Sequence, residues 1–171
     1  MSTTLPLPIR FELPGAEWQP VEPETVGVSN AAFLAARQPL GSSSYRPTIT
    51  ISGDWRNDDA DLEQIADESV VKVQQEAGQA RLADRRNVGT DEAPAIVQVI
   101  SAAATIDGEL LDLRQLQTVA AYVDIDDRSR RIVVLYTLSC TADQFEAAGH
   151  EYQQFMATVR VVPDDEATWE S

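Results

Sequence analysis

Residues 95–138 read AIVQVISAAATIDGELLDLRQLQTVAAYVDIDDRSRRIVVLYTL. Three long strands are legible in this stretch. One runs over 95–106 into Asp107-Gly108, a second runs back over 109–123, and a third covers 130–138 after the charged turn 124–129. Asp-Gly between two strand-like runs is a strong hairpin signal, because both central residues of the favoured two-residue turn need positive φ. Such a turn sets the register. Ile106 faces Glu109, Ala104 faces Leu111, Ala102 faces Leu113, Ile100 faces Gln115, Gln98 faces Gln117 and Ile96 faces Val119. Side chains alternate, so these pairs share one face, while Ser101/Arg114, Val99/Leu116 and Val97/Thr118 take the other. In the third strand both alternating sets, Val133/Leu135 and Ile132/Val134/Tyr136, are apolar, which marks a strand buried on both faces.

The flanking sequence reads as cover or extension of this meander. Residues 9–13 alternate apolar and polar as a half-buried strand does, until Pro14-Gly15 stops them. Residues 19–25 are rich in proline and glutamate and read as an exposed connection. Residues 30–37 favour helix by intrinsic propensity, yet they are few and strands flank them, so strand is the expected state. Residues 47–52, Pro-Thr-Ile-Thr-Ile-Ser, alternate strictly and read as a strand. A helix is expected over 58–77, with Asn57, Asp58 and Asp59 offering N-cap oxygens that accept from its first N–H groups and Leu62, Ile65, Ala66, Ser69, Val73 and Ala77 on its inner face. Gly78 ends it, and 81–88 follows as a short strand. Thr141-Ala142-Asp143-Gln144 is a capping box opening a second helix, whose apolar stripe runs from Phe145 through Ala148, Gly149, Tyr152, Phe155 and Met156 to Val159. Residues 158–162 can turn into a terminal strand.

The 171 residues fit one domain with a substantial core. Formal net charge is −15 and the hydrophobic share is 43%. That charge argues against nucleic acid and anionic lipid as partners and leaves basic proteins, basic peptides and metal cations, with solubility alone as the alternative reading. Lys72 is the only lysine, a bias that suggests a GC-rich bacterial genome. Cys140 is the only cysteine, so no intrachain disulfide can form. The first eight residues carry no basic or apolar leader pattern, and no apolar run approaches the roughly 18–20 residues of a membrane span. The expectation is a cytoplasmic protein, with residues 1–7 flexible, one domain over 8–162, and an acidic tail at 163–171 in which Trp169 is disordered or, as the alternative, a docking residue.

No catalytic or metal-binding motif rises above background. His150 is the only histidine, lies off the apolar stripe one turn after Glu146, and reads as a solvated side chain. The isolated glycines do not form a phosphate loop. Asp124-Ile125-Asp126-Asp127 resembles part of a calcium loop but lacks its glycine and distal glutamate. The polar concentration inside the sheet is Gln98, Gln115 and Gln117, with Arg114 beside them. Buried mid-strand amides must pair with one another or with a ligand. These four are therefore the candidate groove for a ligand or partner, and the alternative is a self-paired or exposed sheet face. No cofactor is expected.

In its element order the chain resembles the PsbP-like superfamily, which includes DcrB-type and LpqN-type proteins. The resemblance covers about residues 8–162. It rests on Ile9 to Pro14 with Trp18 after it, on 47–52 followed by the helix at 58–77, on Leu113-Arg114-Gln115-Leu116-Gln117, and on Phe145 through Val159. It implies an α+β fold, a single antiparallel sheet between helices, and an actinobacterial-looking relative without the lipoprotein leader of LpqN-type proteins. It also implies binding rather than catalysis, since relatives of similar fold include the Eag chaperones. The expected function is that of a non-enzymatic adaptor or chaperone for another protein, with a small-ligand carrier as the alternative.

Overall fold

A computed structural model describes residues 8–161 except 27–30, 42–43, 92, 124–126 and 128. The expectations for residues 1–7, the tail with Trp169 and most of the calcium-like loop lie outside the described residues. Nine strands and two α-helices follow in order: β1 (Ile9–Arg10), β2 (Trp18–Pro20), β3 (Phe33–Arg37), β4 (Thr48–Trp55), α1 (Leu62–Ala77), β5 (Gln79–Asn87), β6 (Ala95–Ile106), β7 (Glu109–Val123), β8 (Arg131–Thr141), α2 (Phe145–Thr158) and β9 (Arg160–Val161). Seven of the strands form one antiparallel sheet in the order β2-β3-β4-β8-β7-β6-β5, and β1 pairs with β9 in a small second sheet. The fold is α+β, with α1 on one face of the large sheet and α2 on the other.

The meander keeps the register that its turn dictates, from Ile106 opposite Glu109 to Ile96 opposite Val119. Asp107 and Gly108 both take positive φ, 53° and 82°. β8 lies centrally, between β4 and β7. On the α1 side Val133 and Leu135 pack with Ile65, Ala66, Ile96 and Val119. On the α2 side Ile132, Val134, Tyr136, Leu138 and Cys140 pack with Ile49, Ile51, Ala148, Tyr152 and Phe155. A third cluster, Val70, Val73, Ile100 and Ala102, continues the α1 layer toward β5.

Three local details differ from the sequence reading. Helix α1 begins at Leu62, because Asp61 and Gln64 close a reciprocal capping box. The earlier acids are used otherwise: Asp58 pairs with Arg56, and Asn57 accepts the Arg131 amide. The inner face of α1 includes Val70, which is buried. Gln19 and Pro20, at the start of the expected connection, stay exposed but continue a short strand against β3 from Trp18, which is buried in the core.

Candidate functional site

A sheet of seven strands is about 29 Å across, and a packed helix about 10 Å wide covers only two or three of them. The position of α2 therefore decides which part of its face stays open. Four attachments set that position. The Tyr152 hydroxyl lies 2.6 Å from the Thr118 hydroxyl and donates to the Tyr136 carbonyl at 3.1 Å. Burial pushes the Tyr152 phenol up, so it stays protonated and able to donate. Glu151 accepts from Arg37 through both carboxylate oxygens, at 2.7 and 2.9 Å, and from the Trp18 indole at 2.7 Å. The Arg37 guanidinium, more than any other group, holds the Glu151 carboxyl below its usual range. Gln144, at the foot of the helix, donates to the carbonyls of Leu40 and Tyr45. Phe11 then fills one flank of α2, edge-on to Phe33 and Phe155 at 4.7 and 5.4 Å between centroids.

The opposite flank is open. Between α2 and strands β5 and β6 runs a groove of about 1330 Å³. Val97 and Val99 of β6, Leu116 of β7 and Phe145 at the start of α2 form its apolar floor and wall. Val88, 54% exposed and just past the end of β5, extends the apolar surface. Asp143, Glu146 and His150 stand along the helix side of the groove, with Asp84 and Arg86 on the strand side. Asp84 and Arg86 pair with each other at 3.4 Å. His150 is exposed, as expected from sequence, and its Nε2 lies 3.5 Å from the Gln154 amide nitrogen. The groove suits burial of an apolar partner segment whose polar side meets carboxylates.

The residues expected to form a groove sit elsewhere. Gln98 and Gln117 are buried beneath α1. The Gln98 amide donates to the Ala66 carbonyl at 3.1 Å and to Gln117 at 2.8 Å, and its oxygen accepts from Arg85 at 2.9 Å. Gln117 donates in turn to Gln115 at 3.1 Å. The amide row faces the backbone of α1 and its own members instead of solvent. Arg114 lies on the other face of β7, bonded to Asp112 and to the Leu113 carbonyl. The groove floor was not singled out from sequence because Val97 and Val99 look like core. Only the offset of α2 leaves them uncovered, and the signal available in advance was that a helix of 14 residues cannot cover the whole sheet face.

No protein-family model and no curated protein matches the chain. Solved structures do match its fold. LpqN of Mycobacterium tuberculosis, a protein involved in cell envelope biogenesis, aligns with TM-score 0.60 at 11% identity, over 92% of this chain and 86% of that one. The cyanobacterial PsbP of Synechocystis aligns with TM-score 0.59 at 10% identity, over 91% and 92% of the two chains. A Pseudomonas aeruginosa protein of unknown function, PA94, aligns with TM-score 0.54 at 18% identity, over 76% and 82%. The chain has a PsbP-like fold.

Proposed function

We propose that this chain is a non-enzymatic binding protein of the cytoplasm, an adaptor or chaperone that holds an apolar segment of another protein in the groove beside α2. The observation that carries the reading is the groove itself: 1330 Å³, floored by Val97, Val99, Leu116 and Phe145 and edged by carboxylates. Small-molecule sites run to about 300–1,000 Å³ and enclose most of their ligand. The groove exceeds that range, which favours a protein segment over the small-ligand carrier. Its polar groups also fit binding better than bond making. Of its acids, Glu151 is engaged by Arg37 and Trp18 in holding α2 in place.

Affinity capture from the soluble fraction of the native host, run in parallel with the wild-type chain and Val99→Glu, tests the proposal. The wild type retains a stoichiometric partner, and Val99→Glu loses it while its melting transition is kept. The absence of any such partner, or a partner indifferent to Val99→Glu, would overturn the reading.

A further inference from the structure

The β6–β7 hairpin is longer than its neighbours. β8 begins to pair with β7 only at Leu113, opposite Thr141, so residues 109–112 have no strand on that side. Ile106 and Glu109 close the two-residue turn as a hydrogen-bonded pair, and pairs along an antiparallel ladder alternate. Leu110 and Asp112 therefore direct their backbone N–H and C=O away from β6, into the lane that β8 has left. A cavity of about 490 Å³ lies there, between 109–112 and the turn at Thr141, Ala142 and Asp143. Leu110 is 72% exposed, the most exposed of the large hydrophobic residues described.

The other edges of the sheet are protected. β5 carries a register shift between Leu82 and Asp84 together with Arg81, Arg85 and Arg86. β2 has three residues and ends at Pro20. Bulges, charges, proline and shortness are the usual means of blocking strand addition. At Leu110–Asp112 the strand is regular and holds no proline, and its charges, Glu109 and Asp112, are both acidic, so they oppose an acidic strand and not a basic one.

We infer that this edge accepts an extended segment of a basic partner protein as an added antiparallel strand. A second copy of the chain is a poor occupant. Each copy carries a formal net charge of −15 and would bring its own Glu109 and Asp112 to the same edge, so two copies repel. A cationic segment reverses that sign. Residues opposite Asp112 and Glu109 are lysine or arginine, and the two between them, opposite Leu111 and Leu110, are apolar. Arg114 takes Oδ1 of Asp112 and leaves Oδ2 to the incoming cation. Asp143 adds a third carboxylate at the cavity wall. The main chain provides affinity and the alternate side chains provide selection. This site does not depend on the groove floor beside α2.

The probe is a fluorescein-labelled peptide containing Lys-Ile-Val-Lys, compared by anisotropy with its Glu-Ile-Val-Glu counterpart. The lysine peptide binds, more weakly as salt is raised, and the glutamate peptide does not. Leu110→Pro removes the outward N–H without removing a bond to β6, and weakens binding about tenfold. Leu110→Ala, which keeps that N–H, costs less, and Val99→Glu leaves binding unchanged. Hydrogen exchange on the wild-type chain provides the check independent of any variant: saturating peptide slows the Leu110 and Asp112 amides. Absence of binding by the lysine peptide, equal binding of the two peptides, or binding with exchange at these amides unchanged would each overturn the inference.

Discussion

Glu151 shows how one side chain decides where α2 lies. It is partly buried, and it meets a guanidinium and an indole from two strands. Charge-assisted hydrogen bonds contribute more than neutral ones because the ionised acceptor is held in a poorly solvated site. Glu151→Gln keeps the shape, loses the charge, and is expected to destabilise the fold by about 1–3 kcal/mol at neutral pH. The pH dependence has a definite sign. The carboxyl is held below its ordinary value of 4.5, so its contribution is fully present above that value and is lost as pH falls through the lowered folded pKa. Urea melts of both chains across the acid range check this: the gap between them closes toward low pH. A gap that stays constant with pH would mean that the charge of Glu151 contributes nothing. By contrast, Cys140 is a core residue. It has no exposed surface, and burial pushes its thiol up to about 12.

Elements show which local signals survive folding. The hairpin register was fully legible, because Asp107-Gly108 is a local device that needs nothing from the rest of the chain. The capping box Thr141–Gln144 was legible for the same reason. Where tertiary context decides, the sequence spoke less clearly. Ala35 and Ala36 are good helix formers, yet they are buried in β3, because β4 offers a ladder and the core needs small side chains there. Asn57, Asp58 and Asp59 looked like a helix start, but Arg56 and Arg131 draw Asp58 away and leave Asp61 as the cap. The glutamine row was found as a cluster, but its burial depended on where α1 came to rest. The hairpin also makes an element-scale test. An added Cβ at Gly108 would meet nothing within 4 Å, so its cost is conformational alone. Gly108→Val forces a β-branched residue into positive φ and is expected to lower stability by about 1–2 kcal/mol. Thermal melts would show it, and an unchanged melting temperature would contradict the turn geometry.

At the scale of the whole molecule, the helices sit on opposite faces and on different strands. α1 lies over β5, β6 and β7, and α2 lies over the β8–β4 side. Only β7 and β8, in the middle of the sheet, also meet the other helix: Val119, Val133 and Leu135 face α1, and Thr118, Val134 and Tyr136 face α2. Each helix therefore leaves an open flank, and the groove beside α2 is one of them. This offset could not be read from the periodicity of either helix, since an amphipathic stripe says that a helix packs but not on which strands. It does fix an order of local stability. Amides exchange slowly where both faces are apolar and the strand has neighbours on both sides, and quickly at unpaired edges. Val134, Tyr136 and Leu138 have no exposed surface and lie between β4 and β7, so their amides are expected to exchange only by global unfolding. The hairpin end at 109–112 and the exposed residues of β5 are expected to exchange orders of magnitude faster. Native-state exchange read residue by residue measures this ranking. If β5 proved as protected as β8 in the isolated chain, the flank beside α2 would have to be covered, and the groove would not be available to a partner.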